Sequence, residues 1–269
     1  MKKAFKKLAQ SLLPAPIFTK IASVRSRNYQ SALLERLGLF SIAQTLVERF
    51  GTRVLHGPFG GMDYPRASLL NRHGAVKLLG CYEAELHPFL TEIIGKSADY
   101  EGFVDIGCAE GYYAVGLARA TGKKVVAFDT EPREIAFCEE MARLNGVSEL
   151  VETRNWCDAA FLRGLAGKRQ FVLSDCEGFE LELFDAETVL ALGKCDLIIE
   201  LHTGAAPDIV KIVSKRFAAS HYCELVRAQK RAADFAELEA LDESERAKAV
   251  DEFRVNGMTW ALLRAKSGS

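Results

Sequence analysis

The sequence predicts an α/β protein built on a doubly wound, mostly parallel sheet. From Phe103 onward, short apolar runs alternate with stretches of helical periodicity, which is the pattern of parallel strands covered by helices on both faces. The first apolar run leads into a turn with two glycines, and the second ends in an acidic residue, Asp129. Both features are typical of sheets that bind a nucleoside at the carboxyl ends of their strands.

The alternation defines most of the elements in chain order. Two further apolar runs, HYCELVRA (221–228) and MTWALLRA (258–265), predict strands that flank an acidic helix, DFAELEALDESERAKAVDEF (234–253). The predicted strands before them are 103–106, 124–128, 149–153, 171–174 and 196–201, and the predicted helices are 112–120, 132–144, 158–165, 180–192 and 206–217.

The chain before the sheet has a different character. Residues 1–50 show apolar residues at helical spacing, a Gly- and Pro-rich connector follows at 56–65, and helical periodicity resumes at 77–94 and ends near Gly95. We therefore expect residues 1–95 to form a helical extension or lid, and residues 96–269 to form the ligand-binding domain.

Composition excludes several classes of function. With 35 basic and 36 acidic residues the chain carries a net charge of −1, so nothing indicates nucleic acid as a partner. Its seven cysteines include no CxxC pair, which argues against a zinc site or a disulfide framework and fits a reducing cytoplasm. Residues 1–30 hold seven Lys or Arg and no acid, so we also expect that this segment could contact an acidic surface such as a lipid headgroup layer.

The glycine turn indicates which nucleoside the sheet would bind. Gly107 and Gly111 hold the places where backbone must turn tightly, but Ala109 stands where a dinucleotide fingerprint needs its middle glycine. The P-loop pattern is also missing. Asp105, two residues before the first glycine, suits an ammonium group better than a diphosphate, and Asp129 suits ribose hydroxyls. A ribose together with an ammonium group describes S-adenosylmethionine.

The motifs VDIGCAEGYY, VVAFDTEP, LSDCEGFELELF and LIIELH resemble those of FkbM-type class I S-adenosylmethionine-dependent methyltransferases over residues 100–202. The resemblance implies a seven-stranded Rossmann-like sheet with an antiparallel last strand. It also implies methyl transfer to a hydroxyl of a sugar, glycan or small natural product. Carried over by position, the cofactor would contact Asp105, Gly107 and Gly111 through its methionine end, Asp129 through its ribose, and Cys157 or Asp158 through its adenine.

Acids and a histidine follow the fourth and fifth strands, where they should converge on one crevice. Three uses compete for them. His202 or Asp175 could be the base that activates a hydroxyl acceptor, which is the preferred interpretation, with Glu200 beside them as part of the catalytic group. Asp175, Glu177 and Glu200 could instead bind a divalent cation. The structural alternative is that Glu177 and Glu180 cap the helix that follows.

Two rival functions stay open. One is a methyltransferase-like domain kept as a non-catalytic binding module, and the other is a nucleotide-dependent sugar oxidoreductase. The oxidoreductase would need a proton relay such as Tyr-x-x-x-Lys, which the sequence lacks. Tyr82, in the helical segment before the first strand, is a candidate lid residue over the cofactor.

Overall fold

The computed structural model describes residues 37–204, 206–254 and 258–266, and it confirms the predicted fold class. Seven strands form one sheet in the order β3-β2-β1-β4-β5-β7-β6, in which β7 is antiparallel to both of its neighbours and the other described pairings are parallel. The strands are β1 (Gly102–Ile106), β2 (Val125–Phe128), β3 (Val151–Arg154), β4 (Gln170–Ser174), β5 (Asp196–Leu201), β6 (His221–Arg227) and β7 (Thr259–Ala265).

Helices connect the strands and precede the sheet. Before β1 lie α1 (Leu39–Phe50), α2 (Arg66–Leu69), α3 (Gly74–Leu79) and α4 (His87–Gly95). The crossovers contain α5 (Tyr112–Thr121), α6 (Pro132–Leu144), α7 (Ala159–Arg163), α8 (Glu180–Leu183), α9 (Ala186–Ala191) and α10 (Ile209–Phe217), and α11 (Glu243–Ala249) lies between β6 and β7.

Successive residues of the central strands enter two separate cores, as expected of a sheet covered on both faces. Phe103 and Ile198 belong to one apolar cluster, whereas their neighbours Val104 and Ile199 belong to the other. All the apolar residues that 37–95 contributes lie in the first cluster. The segment before the sheet therefore packs against one face of it, and the division of the chain at residue 95 stays a prediction.

Three predicted helices are shorter or more broken than expected. The predicted helix 180–192 is two helices, because Asp185 leaves the helical path and accepts a hydrogen bond from the Thr188 amide (2.8 Å) as the N-cap of α9. The acidic segment 234–253 contains a 3₁₀ turn, Ala236–Ala240, before α11. Asp242 starts α11 in a capping box with Glu245.

The third broken helix is the segment 77–94, which is interrupted at Gly80. Its φ of 73° is left-handed, and a Cβ there would lie 2.0 Å from the carbonyl oxygen of His56. The prediction of an irregular connector at 56–65 is confirmed. The helical prediction for residues 1–50 is confirmed from Leu39 onward, and its earlier part lies outside the described residues.

The basic segment of residues 1–30 also lies outside the described residues, so its contact with an acidic surface stays a prediction. Among the residues that the structure describes, every helix is too short or too polar to span a bilayer.

Candidate active site

An open cavity of about 360 Å³ lies at the carboxyl ends of β1, β2 and β4, at the sheet edge where ligands of such folds bind. Its volume falls within the range typical of small-molecule sites. Residues that follow four different strands line it, among them Gly107, Asp129, Cys157 and Asp175. The topology therefore brings together residues that are up to about seventy positions apart in the chain.

Gly107 and Gly111 both have left-handed backbone, with φ values of 82° and 97°. A Cβ on Gly107 would lie 1.8 Å from the Asp175 carbonyl oxygen, and one on Gly111 would lie 2.8 Å from the Cys138 sulfur. The need for glycine is therefore explained by contacts inside the protein, whereas the sequence argument explained it by the approach of a ligand. Ala109 itself is left-handed (φ 45°), so this turn keeps its shape without a middle glycine.

Asp129 follows β2 directly and is half buried at the cavity wall. Its Oδ2 accepts a hydrogen bond from the Ala109 amide (2.9 Å), and its Oδ1 accepts one from the Glu131 amide (2.8 Å). Burial is the main cause that raises its pKa, and these two amides oppose the increase. Each carboxylate oxygen can accept a second hydrogen bond, so the side chain is oriented with acceptor capacity left for two hydroxyls.

The turn after β3 separates the two adenine candidates. Cys157 is buried and lines the open cavity. Asp158 does not line it, because its side chain caps α7 by accepting a hydrogen bond from the Phe161 amide (2.8 Å). Trp156, which the motifs did not single out, also lines the cavity; it is 57% exposed, and its ring centre lies 5.2 Å from that of Phe179. Its position directly after a strand end was the signal that could have identified it.

Asp105 is completely buried and lines neither cavity. Neither of its carboxylate oxygens has a hydrogen-bond partner among the described residues. Burial, the largest cause, together with the nearby carboxylates of Asp129 and Glu110, raises its pKa to about 8. The Ala114 amide opposes this increase, although its geometry falls short of a hydrogen bond. Direct contact between Asp105 and a ligand ammonium would therefore require the residues that bury it to move.

The predicted convergence at the ends of β4 and β5 is present in the structure. His202 Nε2 lies 3.4 Å from Asp175 Oδ1, 3.6 Å from Glu177 Oε2 and 3.8 Å from Glu200 Oε1. On the other side of the ring, Nδ1 is hydrogen-bonded to Glu180 Oε1. We call these five residues the carboxylate cluster.

The predicted capping role is met only in part. Glu180 is the first residue of α8 and is fully buried, and its Oε1 accepts a hydrogen bond from the Gly178 amide (3.1 Å), just outside the helix. Glu177 projects into solvent with 87% of its side chain exposed. Glu180 therefore orients the turn and the imidazole together.

The pKa values of His202, Glu200 and Asp175 are all raised within the carboxylate cluster. Burial by itself lowers the pKa of His202, but the hydrogen bond to Glu180 and the charges of Asp175, Glu180 and Glu200 raise it to about 9. Burial and neighbouring carboxylates raise the pKa of Glu200 to about 7 and that of Asp175 well above its usual value. The raised pKa of His202 favours the protonated imidazole, and the role of His202 as the base stays a prediction.

A second, narrow cavity of about 50 Å³ meets the open cavity at Asp175, Gly107 and Ala109. Its wall includes Tyr82, which packs under the Lys77 ammonium (4.7 Å from the ring centre) and accepts a hydrogen bond from Arg254 Nη2 (3.3 Å). Tyr82 thus lines the narrow cavity and does not line the open one, where a lid over the cofactor would contact its ribose or adenine.

Buried ion pairs that sequence reasoning missed surround the narrow cavity. Lys77 pairs with Glu110, and Arg254 pairs with Glu83 and with Glu200 Oε1 (3.2 Å). These partners come from segments far apart in the chain and match no motif. Removal of one member of such a pair leaves an uncompensated buried charge, so each pair holds its segments in place.

No protein-family model matches the chain, and a comparison with curated proteins gave no match either. Solved structures resemble it in fold. A geranyl diphosphate methyltransferase in complex with GPP and sinefungin is 16% identical, with a TM-score of 0.46, over 83% of this chain and 92% of that one. An O-methyltransferase from Bacillus cereus in complex with SAH is 13% identical, with a TM-score of 0.44, over 70% and 82%.

Cofactor-bound Rv0187 from MTB is a further structural neighbour, 15% identical with a TM-score of 0.45 over 74% of this chain and 89% of that one. At these identities and TM-scores the neighbours do not define the reaction of this chain. Its function has to be argued from its own residues.

Proposed function

We propose that the protein is an S-adenosylmethionine-dependent methyltransferase that transfers the methyl group to a hydroxyl of a sugar, glycan or small natural product. The observation that carries the proposal is the open cavity. It joins the glycine turn after β1, the acid after β2 and the aromatic turn after β3 around one volume large enough for a nucleoside.

Residues of the open cavity suit each part of the cofactor. Asp129 offers two oriented oxygens to the ribose hydroxyls, and Cys157 with Trp156 offers an apolar and aromatic surface to the adenine. The methionine end would lie along the turn at Gly107, toward Asp175. Asp175 is also where the narrow cavity begins, so the methyl group would point at the place where an acceptor arrives.

The sheet order supports a methyltransferase over a dinucleotide-dependent oxidoreductase. The dinucleotide-binding fold has the order 3-2-1-4-5-6, whereas here the antiparallel β7 lies between β5 and β6. The missing middle glycine at Ala109 supports the same choice, because a diphosphate would need that position free of a side chain.

The preference for a hydroxyl acceptor rests on the narrow cavity and on the family resemblance. Tyrosine hydroxyls and carboxylates line this cavity, and its volume admits groups of about the size of one or two water molecules. Only the reacting end of an acceptor would enter it. Because Lys77, Tyr82 and Glu83 come from the segment before the sheet, we also propose that residues 1–95 shape the acceptor side.

Isothermal titration of the full-length chain with S-adenosylhomocysteine and with NAD tests the proposal. We expect saturable binding of the first ligand alone. Binding of NAD alone would favour the oxidoreductase, and binding of neither would contradict the proposed cofactor. Incubation of a cell extract with methyl-labelled S-adenosylmethionine and the protein should then transfer label to an acceptor, whereas cofactor binding without any transfer would favour the non-catalytic module.

A separate prediction concerns the basic residues 1–30, whose Lys and Arg side chains are interspersed with Phe5, Leu8 and Leu12. We expect the full-length protein to sediment with anionic vesicles more than a chain that lacks these residues, and to lose the difference at high salt. Equal sedimentation of both chains with anionic vesicles would contradict a membrane contact.

A further inference from the structure

We propose that Asp175, Glu200 and His202 form a binding site for a divalent cation. One donor atom from each of the three lies within 4.8 Å of the others. Ligands of one cation can be no farther apart than twice the metal–ligand bond length, which is about 4.2 Å for Mg²⁺ and up to about 5.2 Å for Ca²⁺. His202 Nε2 lies within the smaller limit of both carboxylates, 3.4 Å from Asp175 Oδ1 and 3.8 Å from Glu200 Oε1. Asp175 follows β4, whereas Glu200 lies near the end of the adjacent parallel strand β5 and His202 follows it, so the sheet holds their backbones in register.

The distances around His202 Nε2 are longer than hydrogen bonds and are compatible with ligands that share one cation. Its three carboxylate neighbours lie at 3.4, 3.6 and 3.8 Å, whereas an N–H···O hydrogen bond spans about 2.7 to 3.2 Å. A cation placed between these groups would replace the proton on Nε2 and could contact a nitrogen and two oxygens at once.

The orientation of the imidazole is fixed from behind. Nδ1 is hydrogen-bonded to Glu180, whose side chain is 0% exposed, so Nε2 must face Asp175 and Glu200. Histidine ligands of metals are held in this way, with the second ring nitrogen donating to a carboxylate. Glu180 is thus a positioning residue for the proposed site.

An unpartnered oxygen points to the same conclusion. Asp175 Oδ1, the oxygen nearest to His202 Nε2, is inaccessible to solvent and has no hydrogen-bond partner among the described residues. Buried polar atoms without partners are rare in folded proteins and call for a ligand, water or ion. Glu177 is left out of the proposed ligand set because 87% of its side chain is exposed.

The mixed donor set indicates the kind of cation. Two carboxylates suit hard cations such as Mg²⁺ and Mn²⁺, and the imidazole nitrogen shifts the preference toward first-row metals such as Mn²⁺. Three protein ligands leave positions open for water or an acceptor oxygen.

If the proposed methyl transfer holds, an acceptor hydroxyl bound there would lose its proton to the exposed Glu177 carboxylate. Its oxygen would then form a bond to the methyl carbon as the carbon–sulfur bond breaks, which converts the sulfonium to the thioether S-adenosylhomocysteine.

Calorimetric titration of the chelator-treated full-length protein with Mn²⁺, in the absence of cofactor, tests the site. We expect one Mn²⁺ per chain, and we expect the variants Asp175→Asn and His202→Ala each to weaken binding by at least about 100-fold. Glu180→Gln, which keeps the shape but removes the charge behind the imidazole, should weaken it by about 10- to 100-fold. Glu182→Gln, an exposed change two residues away in the same helix, is the matched control and should bind as the parent does.

Thermal unfolding with and without Mn²⁺ covers the case in which a variant folds poorly. The parent and Glu182→Gln should be stabilised by the metal, whereas Asp175→Asn should fold but gain nothing from it. Absence of Mn²⁺ binding by the parent, or equal binding by Asp175→Asn and the parent, would overturn the proposal. Because no cofactor is present, this outcome is independent of the titration with S-adenosylhomocysteine, which decides the proposed methyltransferase function.

Discussion

The two cavities at the carboxyl edge of the sheet are built in different ways. Backbone turns and aromatic or apolar side chains form much of the open cavity, together with acids that follow the strand ends, such as Asp129. Buried charges that hold one another in place surround the narrow cavity, including the pairs Lys77–Glu110 and Arg254–Glu83. The first design suits recognition of an uncharged nucleoside, and the second suits control of charge near a reacting group.

The two cavities also differ in how far apart in the chain the residues of their walls lie. Most of the open cavity comes from turns that directly follow strands, so its geometry depends on the sheet. The narrow cavity needs Tyr82 and Glu83 from the segment before β1 and Trp260 from the last strand. A change in the first cavity should therefore act on ligand affinity or on one turn, whereas a change in the second should disturb several segments together.

The largest effect is expected at Gly107, where the two cavities meet. Gly107→Ala would place a Cβ 1.8 Å from the Asp175 carbonyl oxygen in a left-handed conformation, and we expect a loss of about 3 to 5 kcal/mol in the free energy of unfolding. Gly122→Ala is the matched control, because Gly122 is also left-handed (φ 67°) but has no atom within 4 Å of a Cβ. It should cost only about 1 to 2 kcal/mol.

Urea unfolding of the two glycine variants measures this difference. If both variants lost the same stability, the close approach of Gly107 to the Asp175 carbonyl oxygen would contribute nothing to the cost of the substitution. The shape of the wall that the two cavities share would then not depend on glycine at this position.

Asp105 stands outside this comparison, because it is a fully buried carboxylate that lines neither cavity. Its pKa is raised to about 8 in the folded protein, mainly by burial, whereas an unfolded aspartate titrates near 3.9. Unfolding between these values releases a proton, so the contribution of Asp105 to stability should fall as the pH rises from about 4 to 8 and then level off.

Asp105→Asn removes this titration. We expect the stability of the parent, relative to the variant, to decrease by about 2 to 4 kcal/mol between pH 4.5 and pH 8, measured by urea unfolding. Parallel pH profiles for the two proteins would mean that Asp105 is ionised and compensated in the folded state. The side chain would then act as a charge toward a ligand ammonium, as the sequence motif suggests.

Asp129→Ala tests the open cavity directly. Loss of two charge-assisted hydrogen bonds to ribose hydroxyls should weaken S-adenosylhomocysteine binding by at least about tenfold, as measured by calorimetry. Asp129→Asn keeps the size and one acceptor oxygen, so its affinity should lie between those of the parent and the alanine variant. An unchanged dissociation constant for both variants would remove Asp129 from the cofactor site.

How far the sequence could predict this molecule depends on the distance along the chain over which each contact is made. The places of Asp129, Asp175 and His202 could be predicted, because each directly follows a recognisable strand and parallel strands end at the same edge. The pairing of Arg254 with Glu83 could not be predicted, because it joins residues 171 positions apart with no motif around either.

The protonation state of His202 also required the structure. Its sequence neighbourhood suggests a base, but the Glu180 carboxylate that holds the ring lies 22 residues earlier and raises the pKa by direct contact. The glycine turn is a similar case. The sequence predicts glycine at positions 107 and 111, but it does not reveal that the Asp175 carbonyl oxygen and the Cys138 sulfur leave no room there for a Cβ.

The smallest expected effect concerns the turn after β3, where Cys157 and Asp158 are neighbours with different surroundings. Asp158 caps α7 and does not line the open cavity, so Asp158→Ala should cost about 1 kcal/mol of stability through the lost cap and leave S-adenosylhomocysteine affinity unchanged. Cys157→Ser puts a more polar group of similar size at the cavity wall and should alter affinity while the cap stays intact. Urea unfolding and calorimetry on both variants separate the two roles. If Asp158→Ala weakened cofactor binding by tenfold at unchanged stability, the aspartate would have left its cap to contact the adenine, and the open cavity would use a second acid besides Asp129 in cofactor binding.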